Sequence, residues 1–201
     1  LPELPRRVVI QGAGYIALEF AGIFNALGSE VTVVNRSDRI LRGYDHDLTD
    51  RLLPIMQARG IVFGFNRPIR KVEKAVDGSL LVHAGEGEPI ATDAVMVATG
   101  RRPKTDGLGL ESAGIALGSN GEIPVDEYNR TSCPSIYAVG DVTDRIQLTP
   151  VAIREGHAFA DTVFGGTPRT IAYDHIPSAV FSQPPLAAVG LTETQAREVH
   201  G

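Results

Sequence analysis

Three small residues at a fixed spacing carry the clearest chemical signal in the sequence. Gly12, Gly14 and Ala17 form a G-x-G-x-x-A pattern that follows the apolar run Val8–Ile10 and opens a helical segment. In that setting the first glycine permits a tight turn, the second lets the backbone approach a pyrophosphate, and the small third residue lets helix and strand pack closely. The helix N-terminus then attracts the anion. The pattern predicts dinucleotide binding, and a purely structural glycine turn is the alternative.

The end of the second predicted strand indicates which dinucleotide is bound. An acid there would accept hydrogen bonds from a ribose 2′-hydroxyl, whereas this chain has Asn35, followed by Arg36, Arg39 and Arg42. Guanidinium groups pair bidentately with phosphate oxygens, so we expect NADPH, with two of the arginines on the 2′-phosphate. Arg39 is the expected bystander. The alternative is that all three are ordinary solvated loop residues.

Tyr15 and Glu19 lie four residues apart at the start of the predicted helix, and therefore on one helical face above the glycine turn. A tyrosine in that place suits a lid over a nicotinamide pocket. The alternative is that both residues only pack or cap locally.

The first hundred residues alternate short β-branched runs with helical patterns, which predicts a parallel sheet covered by helices. "RVVI" and "EVTVV" are predicted strands around a helix from about Tyr15 to Leu27, and a second helix is predicted from Asp47 to Arg59. "IVFGF" is a predicted strand. "IRKVEKAV" and "LLVHA", separated by "DGS", predict a hairpin. "DAVMVATG" predicts a buried strand that enters a glycine turn.

After Arg101 the sequence becomes rich in Gly, Pro, Ser and Asn, as in a crossing between domains. "IYAVGD" is predicted as a short strand, and a helix is predicted from about Thr149, with Pro150 tolerated in its first turn. "GGTPRT" is a second linker. Two strands and a helix capped by Thr192 follow. Cys133 is expected to be a small filler residue in a turn.

Composition excludes several classes of function. The chain has 201 residues, 43% of them hydrophobic, and a formal charge of −5 with dispersed Lys and Arg, so we expect a soluble core-forming protein that does not bind nucleic acid. No apolar run is long enough to cross a membrane. The one cysteine fits a reducing compartment but forms no internal disulfide. No metal site is expected.

Five motifs in order resemble the FAD-dependent pyridine nucleotide–disulfide oxidoreductases: "GAGYIALEFAGIFNALG" with "NRSDRILRGYDHDL", "VMVATGRRP", "TSCPSIYAVGDVTDRIQLTPVAIREG" and "IPSAVFSQPPLAAVGLTE". The resemblance covers nearly the whole chain. It implies an α/β fold: a Rossmann-like three-layer NADPH-binding domain at 1–100, part of a second, FAD-binding lobe at 101–168, and the start of an α+β dimerisation domain at 169–201.

The resemblance also implies the cofactor contacts. For NADPH they are Gly12, Gly14, Tyr15, Ile16, Ala17, Glu19, Arg36, Arg42, Thr99, Gly100 and Arg101, with Arg36 and Arg42 on the 2′-phosphate. For FAD they are Gly140, Asp141, Gln147, Leu148 and Thr149, with Asp141 on the ribityl chain. Tyr15 would cover the flavin, and Glu19 would lie near it; these are the supporting catalytic roles. Lys104 replaces a common asparagine and has no explanation.

Within the family the chain is most similar to members that reduce glutathione disulfide. These transfer electrons from NADPH through FAD and a redox disulfide, and work as cytoplasmic homodimers. The family's cysteine pair and His–Glu pair have no counterpart in this chain, so we expect this segment alone to bind NADPH, to bind FAD weakly at best, and to be inactive. The alternatives are a mercuric or trypanothione reductase and a noncatalytic NADPH-binding module. His83, His157 and His175 are expected at the surface or its boundary, and His46 is a weaker candidate for the cofactor phosphate.

Overall fold

The computed structural model describes every residue from Leu1 to Gly201 and separates the chain into two units. The first unit comprises Leu1–Gly100 and Pro177–Gly201, and the second comprises Arg101–Ile176. The elements of the chain are β1 (Arg7–Gln11), α1 (Tyr15–Ala26), β2 (Glu30–Val34), α2 (His46–Ala58), β3 (Val62–Gly64), β4 (Ile69–Lys74), β5 (Leu80–Ala84), β6 (Ile90–Thr92), β7 (Ala94–Val97), α3 (Thr149–Val163), β8 (Ser178–Val180), β9 (Leu186–Ala188) and α4 (Glu193–His200).

A parallel sheet of four strands in the order β3-β2-β1-β7 forms the centre of the first unit. The side chains of successive β1 residues point to opposite faces of this sheet, as expected for an extended strand. Val8 and Ile10 pack with α1, α2 and the β8–β9 hairpin, whereas Val9 packs with the antiparallel sheet β4-β5-β6. The unit therefore has the predicted three layers, and the central strand is buried on both sides.

Hydrogen bonds attach residues 177–201 to the first hundred. The Glu19 carboxylate accepts the Phe181 N–H at 2.9 Å, and the Asp45 carboxylate accepts the Glu193 N–H at 2.7 Å. Asp45 also accepts the Asp47 N–H at 3.0 Å, so one carboxylate caps α2 and contacts the first turn of α4. The predicted dimerisation segment at 169–201 thus has most of its residues in the first unit, and its assignment stays a prediction.

The second unit has its own small core and one long helix. The core consists of Leu110, Ile115, Ile123 and Ala138, with Cys133 partly buried beside them. Two short 3-10 helices occur here, Leu110–Ala113 and Gly140–Thr143. The longest helix of the whole chain is α3, and no helix is long and apolar enough to cross a membrane.

Most of the predicted elements are confirmed. The helices near Tyr15, Asp47 and Thr149, the "DGS" hairpin, and the final two strands with the Thr192 cap all form within a residue or two of the expected bounds. The capping box of α4 joins Thr192 and Gln195. These patterns are local, so the sequence alone identifies them.

Two strand predictions are wrong. "IYAVGD" forms only one bridge, between Tyr137 and Arg130, because the chain turns away at Gly140, where φ is 73°. "DAVMVATG" does form β7, but as an edge strand rather than a buried one, and Val97 is 65% exposed. The short strand β6 has no apolar alternation and was not predicted.

Asp45 generates a prediction about pH. Its two backbone donors, the Glu193 N–H first and the Asp47 N–H second, lower its pKa below the ordinary value of 3.8. A lowered folded pKa means that the stabilisation is complete above pH 3.8 and is lost as the pH falls through the folded value. We expect Asp45→Ala to increase amide exchange in α4 at neutral pH, measured as protection factors by mass spectrometry. In the wild type, the protection of α4 should fall only as the pH drops below 3.8 and through the lowered pKa of Asp45.

Asp50→Ala is the matched control, because Asp50 lies on the same helix but pairs with Arg39 instead. It should leave α4 protected. Equal protection of α4 in wild type and Asp45→Ala would show that the carboxylate does not stabilise this helix.

Candidate nucleotide-binding sites

The turn between β1 and α1 depends on Gly12. Its φ of 115° is a conformation that side chains disfavour, and a Cβ built on it would lie 2.3 Å from the backbone oxygen of Ala98. The Gly12 N–H donates to the carbonyl of Val34 at 2.9 Å. The turn is therefore packed against the ends of both β2 and β7, and its position follows from the sheet.

Gly14 has a different role from Gly12. Its φ of −78° is accessible to any residue, and a Cβ there would meet nothing within 4 Å. What Gly14 provides is open space beside the backbone, where a second glycine lets a pyrophosphate approach. Ala17, the third residue of the pattern, is fully buried between helix and sheet.

The N-terminus of α1 has the electrostatics of an anion site. No side chain caps it, and its first turn contains no acidic residue. The first N–H groups of a helix lack partners within the helix, and the dipole places partial positive charge there. A phosphate group would satisfy these donors. Ile16, a predicted contact, lies half-buried in this first turn.

Asn35 organises the arginine loop. Its side-chain amide donates to the Ser37 Oγ at 2.8 Å and to the Arg39 carbonyl at 2.9 Å. A carboxylate at this position has no protons with which to make these bonds. The loop is also joined to the glycine turn, because the Leu41 N–H donates to the Ala13 carbonyl at 2.8 Å. The neighbouring arginine, Arg42, is thereby held close to the turn.

The three arginines of this loop differ in their contacts. Arg39 pairs with Asp50 at 2.7 Å, consistent with its expected role as bystander. Arg36 and Arg42 are exposed, and neither makes an ion pair or a side-chain hydrogen bond. These two cations are therefore available to a phosphate group without the loss of an existing partner.

The remaining predicted NADPH contacts vary in their surroundings. Tyr15 begins α1 and packs partly against the helix-side core. Glu19 is engaged with the Phe181 N–H, so in this structure it has a structural partner. Thr99 and Gly100 are exposed after β7, and Gly100 has a φ of 132° with open space around it. Their roles at a cofactor stay predictions.

The second unit contains another glycine turn that leads into a helix. Gly140 has a positive φ, and a Cβ on it would lie 3.0 Å from the Cβ of Ala152 in α3. Asp141 follows, and its carboxylate pairs with Arg101 at 2.5 Å. The structure thus brings together two residues that the sequence assigned to different cofactors.

The N-terminus of α3 resembles that of α1. Leu148 precedes it without a side-chain cap, Pro150 lies in its first turn, and no acidic residue is present there. Thr149 is exposed, while the Gln147 amide donates to the Asp144 carboxylate at 2.8 Å. Pro150 has no N–H and the Val151 N–H donates to the Leu148 carbonyl at 3.0 Å, so this end offers the Thr149 N–H and the positive end of the helix dipole to an anion or an electron-rich group.

A buried carboxylate behind the second glycine turn was missed in the sequence. Glu155 is only 1% exposed; it accepts the Gly140 N–H at 2.5 Å and the Tyr173 hydroxyl at 2.6 Å. Tyr173 in turn accepts from Arg145 at 2.8 Å. The signal was present, because Glu155 lies on the same helical face as the buried Val151 of α3.

Burial raises the pKa of Tyr173 above its ordinary value of 10.0, and the hydrogen bond to Glu155 raises it further. The phenol therefore keeps its proton and remains a donor to Glu155 throughout the neutral range.

The histidines and the cysteine contribute no reactive cluster. His83 pairs with Glu73 at 2.6 Å on the antiparallel sheet, and His46 is exposed at the start of α2. Cys133 lies 3.6 Å from the Ser135 hydroxyl in a turn. No group of three or more His, Cys, Asp or Glu residues is arranged to hold a metal ion.

These features define the class of protein. A three-layer α/β unit with a glycine turn, an uncapped helix and two available arginines is a nucleotide-binding unit, and the second unit repeats the glycine turn and the uncapped helix.

Comparison with known proteins identifies the family. Residues 1–156 match the family profile described as pyridine nucleotide-disulphide oxidoreductase. The chain therefore belongs to the pyridine nucleotide–disulphide oxidoreductases, as the sequence resemblance predicted. FAD and NADPH are the cofactors that membership implies.

Individual relatives agree with this family. The chain is 52% identical to a glutathione reductase of Burkholderia cepacia, covering 98% of this chain and 44% of the relative. It is 47% identical to a trypanothione reductase of Trypanosoma congolense, over 98% and 40%. The HOCl-induced flavoprotein disulfide reductase of Escherichia coli superposes with a TM-score of 0.92 at 35% identity, covering 98% of this chain and 45% of that structure. The chain spans less than half the length of these relatives.

The two glycines of the first turn should respond differently to alanine. Gly12→Ala combines a disfavoured φ with a backbone clash, so we expect it to destabilise the protein by about 2 kcal/mol or more. Gly14→Ala should lower the melting temperature much less, because its backbone and surroundings accept a methyl group and only the weaker N-cap preference of alanine is lost. It should nevertheless weaken NADPH binding, since the methyl group occupies the space that a pyrophosphate requires.

Thermal unfolding and NADPH titration of the two variants test this difference. A Gly14→Ala variant with wild-type affinity for NADPH would mean that the dinucleotide does not approach this turn.

Proposed function

We propose that the full protein reduces glutathione disulfide with electrons from NADPH, carried by FAD. The observation that carries the NADPH part of this proposal is the arginine loop: Asn35 stands where NAD-binding units carry an acid, and Arg36 and Arg42 are exposed without partners. The family and the 52% identity to a glutathione reductase support the same reaction.

The first unit fits NADPH. The pyrophosphate would lie against Gly14 and the uncapped N-terminus of α1, where the backbone is open. Arg36 and Arg42 would bind the 2′-phosphate. Tyr15 would cover the nicotinamide side of the site, since it begins the same helix.

The second unit fits the ribityl and flavin portion of FAD. Asp141 would accept a hydrogen bond from a sugar hydroxyl, and the uncapped start of α3 would face an electron-rich edge of the cofactor. Gly140, Gln147, Leu148 and Thr149 would line this site. The Asp141 carboxylate and its partner Arg101 would then form one polar group at the cofactor.

When bound, NADPH would supply a hydride and FAD would accept it and carry the electron pair. The residues of this chain bind and orient the two cofactors. Reduction of the disulfide itself requires thiolate chemistry, and no residue of this chain is assigned to that step, because its one cysteine, Cys133, lies in a structural turn.

A second candidate is reduction of trypanothione disulfide. The 47% identity to a trypanothione reductase favours it to nearly the same degree, and the cofactor residues do not separate the two substrates. Glutathione disulfide remains the preferred substrate, because the relatives with the higher identities are glutathione reductases. We further propose a homodimer in the cytoplasm, supported by the resemblance to disulfide reductases of this family.

The arginine assignment predicts a change in cofactor preference. Arg36→Ala and Arg42→Ala should each weaken NADPH binding about tenfold or more, because each removes a charged hydrogen bond to phosphate worth about 1.5–3 kcal/mol. NADH binding should be little affected, since NADH lacks the 2′-phosphate. Calorimetric titration of both dinucleotides measures the preference.

Arg39→Ala is the matched control, because this arginine belongs to the same loop but pairs with Asp50. It should retain the NADPH preference of the wild type. A preference that survives loss of both Arg36 and Arg42 would place the 2′-phosphate elsewhere.

The substrate is tested on the full-length protein. We expect NADPH oxidation to proceed with a higher kcat/KM for glutathione disulfide than for trypanothione disulfide or mercuric ion. A protein that binds both cofactors but favours one of the other two acceptors would refute the proposed substrate while leaving the cofactor sites intact.

A further inference from the structure

Glu155 is buried in the second unit at a place where a charge needs strong partners. It is 1% exposed, yet both carboxylate oxygens are used: Oε2 accepts the Gly140 N–H and Oε1 accepts the Tyr173 hydroxyl. Burial of a carboxylate is costly unless hydrogen bonds replace its hydration. The two bonds to Gly140 and Tyr173 supply that replacement for the Glu155 carboxylate.

The first of these bonds joins two separate elements. Glu155 lies on α3, whereas Gly140 begins the 3-10 helix that carries Asp141. A Cβ on Gly140 would lie 3.0 Å from the Cβ of Ala152, so turn and helix are closely packed at this point. The carboxylate thus ties the turn to α3 at the residue that precedes Asp141.

A second set of contacts holds the carboxylate itself. The Arg145 guanidinium donates to the Tyr173 oxygen at 2.8 Å and lies 5.3 Å from the centre of the Tyr173 ring. Its other nitrogen donates to the carbonyls of Val125 and Asp126, at 2.9 and 2.7 Å. Arg145, Tyr173 and Glu155 therefore form a continuous series of hydrogen bonds. This series holds the Glu155 carboxylate through Oε1, the oxygen that Gly140 does not use.

We propose that Glu155 is a positioning residue for FAD, which aligns Asp141 with the N-terminus of α3 so that both meet the cofactor together. The inference rests on the proposed function, because Asp141 and α3 are the FAD-directed elements. Glu155 itself does not touch the cofactor in this scheme; it acts through the Gly140 N–H. Bonds to a buried charged group are among the stronger ones in proteins.

The test uses the full-length flavoprotein and measures the Kd for FAD by flavin fluorescence during reconstitution of the apoprotein. Glu155→Ala should raise this Kd about tenfold or more, because the Gly140 N–H loses a charged acceptor. Glu155→Gln should restore the Kd to within about threefold of wild type, since its amide oxygen still accepts that N–H. The Kd for NADPH, which binds the first unit, should stay unchanged in both.

Ile115→Ala is the matched control for stability, because Ile115 is buried in the core of the same unit. It should lower the melting temperature without changing the Kd for FAD. If Glu155→Ala also keeps the wild-type Kd, Glu155 is merely structural and the inference is overturned. If Glu155→Ala does not fold, Tyr173→Phe replaces it, because it removes the hydroxyl that holds Glu155; a raised Kd supports the inference and an unchanged Kd overturns it.

The outcome also separates the two proposals. A wild-type protein that binds no FAD would overturn the proposed function, and this inference with it. A wild type that binds FAD, with Glu155→Ala equally competent, would overturn the inference alone.

Discussion

Uncapped helix N-termini are the constraint on which both proposed sites depend. The first turns of α1 and α3 have no side-chain caps and no acidic residues. Such an end leaves its remaining N–H donors to water or to a ligand. Gly12 turns the backbone just before α1, whereas Gly140 turns it at the start of the 3-10 helix Gly140–Thr143, which precedes α3 in the chain.

Charge then distinguishes the two sites. In the first unit, Arg39 forms an ion pair with Asp50, whereas Arg36 and Arg42 form none. Two positive charges are therefore available to a phosphate group. In the second, charge is paired internally, since Arg101 contacts Asp141. A site for an extra phosphate needs the first arrangement, and a site for sugar hydroxyls is compatible with the second.

Local sequence patterns predict much of this architecture, and long-range contacts account for what they miss. The helix caps and the "DGS" hairpin depend on a few neighbouring residues, and the glycine turn combines a local pattern with a known setting. "IYAVGD" has the composition of a strand, but strand formation also requires a partner, and here only one bridge forms. The bond between Glu19 and Phe181 joins residues 162 positions apart, which no local pattern reveals. The network behind Gly140 likewise needs Tyr173, which belongs to an irregular segment.

The discontinuity of the first unit has a consequence for biosynthesis. Val180 and Leu186 complete a core whose other fully buried members all precede residue 62. During translation, residues 101–176 are synthesised before Val180 and Leu186. The apolar face that these two residues cover is therefore exposed until the last part of the first unit has been made. A chain that has folded only its first hundred residues therefore exposes apolar surface that favours aggregation.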